Sequence, residues 1–80
     1  MPKLKTLSSE DIISALKNFG FQVVGQRGSH VKLSRQTSVQ KQVLTIPNEK
    51  NLPKGTTKAI FNQASRFVSQ EELKKYFYID

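Results

Sequence analysis

Residues 21–47 read FQVVGQRGSHVKLSRQTSVQKQVLTIP, and this stretch decides the fold class. Phe21 and Val23 alternate with Gln22, and Val24 continues a β-branched run, so a strand is expected here. Gly25-Gln26-Arg27-Gly28 predicts a turn. Ser29 to Ser34 then alternate with period two. Val31 and Leu33 point one way, and His30, Lys32 and Ser34 the other. The polar stretch 35–41 predicts a hairpin loop. Leu44 and Ile46 mark a third strand at about 42–46. Pro47 ends it, because proline has no N–H for a ladder.

Helical patterns flank these strands. Ser8 with Asp11 resembles a capping box, and Leu7 can staple onto the first turn. Ile12, Ile13, Leu16 and Phe19 form one apolar stripe up to Gly20, predicting a helix at about 9–19. Residues 47–55 predict a loop, with Pro47, Pro53 and Gly55. A second helix should start at Thr56 or Thr57, both good N-caps, and bury Ala59, Ile60, Phe61, Ala64 and Phe67. Ser69 and Glu72 form a second capping box before a short last helix that turns Leu73, Tyr76 and Phe77 inward. The order is α-β-β-β-α plus a C-terminal helix. Three antiparallel strands with helices on one face make a two-layer α+β sandwich, a single domain over residues 1–80. His30 and Lys32 then lie on the sheet face away from the helices.

Composition narrows the function. The chain has 80 residues, 13 Lys plus Arg against 6 Asp plus Glu, one His and no Cys. The missing cysteines exclude a disulfide framework, a thiolate zinc site and a Cys nucleophile. One His excludes a multi-His metal site, and no metal or cofactor is expected. Apolar runs are no longer than pairs such as Ile12-Ile13, far short of the ~20 residues of a spanning helix. With no apolar h-region behind Met1, a cytoplasmic, membrane-free protein is expected. The net charge of +7 points to an anionic partner, nucleic acid first and an acidic protein second. That charge sits in the body: residues 12–70 hold nine basic residues and one acid, Glu49.

His30 is the one side chain whose ordinary chemistry includes proton exchange near neutral pH. It follows Arg27-Gly28-Ser29, and Lys32 shares its face, where phosphate would be attracted. RNA brings its own nucleophile, the 2′-OH. A protein need only remove that proton, align the phosphate and stabilise the charge that develops. DNA lacks the 2′-OH, which makes RNA the natural substrate of a one-His protein. A second basic feature, Lys54-Gly55-Thr56-Thr57-Lys58, opens a helix, where free N–H groups attract phosphate. It lacks the P-loop spacing. Glu49 is the one acid inside the basic body and reads as a solvated loop residue. The Phe and Tyr residues fall at core spacings and do not read as base-stacking platforms. The competing class is a non-catalytic module that binds double-stranded RNA.

Four blocks carry a resemblance to a known family. Lys17-Asn18-Phe19-Gly20-Phe21, Arg27-Gly28-Ser29-His30-Val31-Lys32-Leu33, Thr45-Ile46-Pro47, and Lys54-Gly55-Thr56 followed by Ile60 resemble the HicA toxins. These are the small partners of HicB antitoxins in bacterial type II toxin–antitoxin pairs. The resemblance covers about residues 8–73. It implies a double-stranded-RNA-binding-domain-like fold and an mRNA-cleaving endoribonuclease whose catalytic histidine matches His30, with Gly28 and Ser29 before it. Arg27, Gly28, Ser29, Lys32, Lys54, Thr56 and Lys58 are then the expected RNA contacts. It also implies a HicB-like antitoxin that blocks the site, with operator DNA reached only through that complex. One departure stands out: family members often carry a histidine soon after the proline that ends strand three, and here Asn48, Glu49 and Lys50 follow Pro47. The segment 69–80 extends past the family's minimum.

Overall fold

The computed structural model describes residues 2–79. Its elements are β1 (Lys3–Leu4), α1 (Ser9–Lys17), β2 (Gln22–Arg27), β3 (His30–Gln36), β4 (Lys41–Pro47), α2 (Lys54–Ala64), α3 (Gln70–Phe77) and β5 (Tyr78–Ile79). The main sheet is antiparallel in the order β2-β3-β4, so the α-β-β-β-α arrangement stands. Leu33, Leu44 and Ile46 are fully buried on one face of the sheet, with Val31 close behind. Ile12 and Leu16 of α1, Ile60, Phe61 and Ala64 of α2, and Leu73 and Phe77 of α3 complete this core. Because side chains alternate along a strand, the period that buries Val31 and Leu33 is also what exposes His30 and Lys32. A one-residue slip of β3 would exchange the two sets, so burial of the leucines fixes the placement of the histidine.

Helix α1 carries the expected cap. Ser8 Oγ accepts from the Asp11 N–H at 3.1 Å, and Asp11 Oδ2 accepts from the Ser8 N–H at 3.0 Å. The backbone hydrogen bond from Ser8 comes first in holding the Asp11 carboxyl below its ordinary 3.8, followed by the Ser8 hydroxyl; desolvation opposes them, and the charge of Lys5 adds the least. Ser8→Ala should cost about 1 kcal/mol. For a domain of this size that lowers the melting temperature by roughly 4–8 °C, read by circular dichroism. A carboxyl depressed by folding stabilises above its ordinary value and loses that contribution as pH falls through the folded one. The gap in melting temperature between the wild type and Asp11→Asn should therefore narrow below about pH 3.8.

Several details differ from the sequence expectations, among them Ala59, expected to be buried and here exposed on α2. First, the turn is not residues 25–28. Arg27 pairs with His30, which leaves Gly28 and Ser29 as a two-residue loop, with Gly28 at φ +58°. Glycine with positive φ in the first loop position matches the twist of the strands it joins. Gly25 instead continues β2 after a bulge that skips Val24. Second, the hairpin loop is shorter than 35–41, because β3 runs to Gln36 and β4 starts at Lys41. Third, α2 begins at Lys54, with Pro53 in the cap position and no side-chain cap bond. Thr57 is an interior helix residue, fully buried, whose hydroxyl donates to the Pro53 carbonyl at 3.3 Å. Pro53 precedes the first helical residue, where its missing N–H removes no helix hydrogen bond, and Thr56 and Thr57 lie within the helix. Fourth, residues 3–4 and 78–79 form an unexpected two-stranded ribbon. It closes the segment after residue 69 back onto the N-terminus, and Lys5 N–H donates to the Phe77 carbonyl at 2.8 Å.

Arg35 also differs. It falls in the stretch expected to be a loop and counts toward the basic body. In the structure it extends β3 on the core face, half-buried. Its Nε donates to Gln42 Oε1 at 2.8 Å, Nη1 to the Phe19 carbonyl at 2.8 Å and Nη2 to the Phe67 carbonyl at 2.9 Å. Its guanidinium also lies 4.9 Å from the centre of the Phe21 ring. This cation is a structural clamp and faces away from the outer surface of the sheet.

Candidate nucleic-acid interface

His30 opens β3 directly after the Gly28-Ser29 turn. It pairs with Arg27 on β2 and with Pro47 on β4, and Lys32 pairs with Gly25 and Thr45. Paired residues share a face, so Arg27, His30, Lys32 and Thr45 stand together on the outer face. A shallow pocket is lined by these four with Gly25 and Gln26. Directly opposed Cβ atoms in a sheet lie about 5 Å apart, and residues two apart on a strand about 7 Å. One imidazole and two cations therefore fit around a single phosphate.

Two backbone features hold this arrangement. The bulge places Gly25, in place of the Val24 side chain, opposite Lys32, and a Cβ added at Gly25 would touch nothing within 4 Å. Bulges re-aim side chains in this way beside active sites. The strand end is fixed as well: the Asn48 N–H donates to the Ser29 carbonyl at 2.6 Å, and Gln26 Nε2 donates to the Gly28 carbonyl at 3.3 Å. Ser9 pins the next residue, donating its N–H to the Glu49 carbonyl at 2.9 Å and accepting the Glu49 N–H on Oγ at 3.1 Å. Glu49 itself is exposed, with its side chain in solvent. Among the described residues no group of three or more His, Cys, Asp and Glu could hold a metal ion. No helix among them is long and apolar enough to cross a membrane.

The expected site residues divide into two sets. Arg27, Gly28, Ser29, His30 and Lys32 form one strand-turn-strand unit. Thr56 of α2 lies outside that pocket and lines an adjoining groove with Thr45 and Pro47, the strand partners of Lys32 and His30. Lys54 and Lys58 do not. Four residues apart, they share a helix face roughly opposite that of Thr56. Lys54 Nζ donates to the Leu4 carbonyl at 2.7 Å, and Lys58 Nζ to the Tyr78 hydroxyl at 3.2 Å. Both ammonium groups are tied to the terminal ribbon. The sequence reading missed Thr45 and Asn48. Thr45 was recoverable, because it alternates with the buried Leu44 and Ile46. The Asn48 contact follows from how β4 ends and has no local signal.

A family comparison now adds to this geometry. Residues 9–65 match the family described as HicA toxin of bacterial toxin-antitoxin. The chain belongs to the HicA toxin family. It is the toxin member of a toxin–antitoxin pair, as the four sequence blocks implied. Neither the curated proteins nor the solved structures give a match. The HicA match starts at the first residue of α1 and ends just after α2, so α3 and the ribbon lie outside it. Those outer elements bury Leu73 and Phe77 and close the end of the core.

Proposed function

We propose that this HicA toxin is an mRNA-cleaving endoribonuclease that needs no metal, with His30 as the proton-transfer group. The observation that carries the reading is the exposed imidazole flanked by Arg27 and Lys32 on one open sheet face, beside a turn that positions all three. The imidazole takes the proton of a ribose 2′-OH, and the 2′-oxygen attacks the adjacent phosphorus. The bond from phosphorus to the 5′-oxygen breaks, and that oxygen gains a proton from water. The products are a 2′,3′-cyclic phosphate and a 5′-OH end. Arg27 and Lys32 stabilise the charge that builds on the phosphate in the transition state. Gly28 and Ser29 leave room for the backbone to approach the phosphate, and Thr56 offers a hydroxyl to the strand. Lys54 and Lys58, tethered to the terminal ribbon, draw RNA over the Debye distance of about 8–10 Å.

The partner in this reading is a HicB-type antitoxin, acidic where it covers the His30 face, working in the cytoplasm. Operator DNA is bound only through that complex. The test is chemical. Purified protein incubated with RNA in the presence of a chelator should give cyclic-phosphate and 5′-OH ends, and should leave DNA and fully 2′-O-methylated RNA uncut. Cleavage of DNA, or loss of activity on chelation, would overturn the mechanism. Binding of duplex RNA with no cleavage would instead favour the non-catalytic module.

A further inference from the structure

The pocket at His30 continues into a second surface. Thr45 lines both that pocket and a groove between β4 and α2, whose far wall carries Thr56, Ala59, Asn62, Gln63 and Arg66. Thr56, Ala59 and Gln63 form one helical stripe about 10 Å long, and Arg66 continues it from the turn just past the end of α2. The stripe is polar apart from Ala59, whose small side chain leaves the floor open. Its near wall, β4, is an edge strand of the sheet. Asn62, Gln63 and Arg66 are exposed. The one ion pair between side chains of the described residues is Lys75 with Glu72, so Arg66 has no acidic partner among them.

Resting on the ribonuclease reading, we infer that this groove is a binding subsite for single-stranded RNA. It holds the nucleotides beside the phosphate at His30. Arg66 takes a phosphate at the far end, and Asn62 and Gln63 meet base edges. Amide side chains offer a donor and an acceptor together, which suits base edges, whereas arginine suits phosphate. A single strand is specified because the deep, narrow major groove of an RNA duplex keeps base edges from side chains. The groove therefore sets which sequence lies across His30, while the catalytic face is indifferent to it.

The test uses the full chain and its Gln63→Ala and Arg66→Ala variants, after confirming that both melt like the wild type. Binding is measured with an uncleavable 2′-O-methyl oligonucleotide across a salt series. Arg66→Ala should weaken binding about tenfold and lower the slope of log affinity against log salt by about 0.7, the loss of one phosphate contact. Gln63→Ala should change which sites are cut in an RNA of defined sequence. Neither should change the rate on a dinucleotide, which is too short to reach the groove. If both variants keep the wild-type affinity, salt slope and cleavage pattern while the wild type cuts RNA, the subsite is overturned and the ribonuclease reading stands. If the wild type cuts nothing, the ribonuclease reading fails, and an unchanged salt slope in Arg66→Ala overturns the subsite separately.

Discussion

Induced expression of the His30→Ala chain should leave growth unchecked and RNA intact, where the wild-type chain should arrest growth and degrade RNA. The expected loss is large because, in the proposed mechanism, His30 alone takes the 2′-OH proton. Removing a positioned general base typically costs about 10²–10⁴ in rate. Arg27 and Lys32 would remain and still hold the phosphate, so RNA binding should weaken only slightly. Lys32→Ala should weaken binding and turnover together, because Lys32 meets the phosphate in both the ground state and the transition state. His30 is exposed, and exposed substitutions are usually within about 0.5 kcal/mol of neutral. The melting temperature should therefore stay near that of the wild type, which separates lost chemistry from lost fold. Equal growth arrest by both chains would remove His30 from the mechanism. Arrest without RNA cleavage in either would favour a binding module, and charge reversal at Lys54 and Lys58 would then be the more damaging change.

The elements that were legible in the sequence are those whose signal is local. Ser8 with Asp11, the 12-13-16-19 stripe, and the alternation about Leu33 and Leu44 each state their structure within a few residues. The outer placement of His30 and Lys32 follows from the same alternation. What escaped depends on residues far apart in the chain. The bulge at Val24 shows only when the register with β3 is laid out, and it moved the turn from 25–28 to 28–29. The ribbon joins residues 3–4 to 78–79 and has no sequence pattern of its own. Nearness in sequence groups Lys54 and Lys58 with Thr56, whereas a helix places residues two apart on nearly opposite sides. Counting charge treated every cation alike, although Arg35 serves the core and Lys54 and Lys58 serve the ribbon.

Arg35→Ala is expected to be the most destabilising single change of a charged residue. One guanidinium hydrogen-bonds three places at once: Gln42 on the neighbouring strand, the Phe19 carbonyl after α1, and the Phe67 carbonyl after α2. Hydrogen bonds to charged groups contribute about 1.5–3 kcal/mol each, and a buried partner left unsatisfied costs about 1–3 kcal/mol. Gln42 is 7% exposed and would be left in that position, while water can reach the two carbonyls at the rim. A net loss of about 3 kcal/mol follows, against roughly 4–12 kcal/mol of total stability for a chain of this length. The melting temperature should fall by roughly 12–24 °C. Lysine should rescue little of this, because an ammonium's donors radiate from one nitrogen, whereas the guanidinium spreads its donors over three nitrogens in a fixed fork and stands 4.9 Å from the Phe21 ring centre. Replacing Gln42 by Leu in the Arg35→Ala background should recover part of the loss, since it removes the stranded amide. The double variant thus tests whether the cost lies in the unsatisfied partner or in the clamp itself. If Arg35→Ala melts within a few degrees of the wild type, the clamp is not what joins the helix ends to the sheet. If it does melt early, reduced toxicity in cells should track reduced protein level. The His30→Ala chain, by contrast, should accumulate normally and still fail to cut RNA.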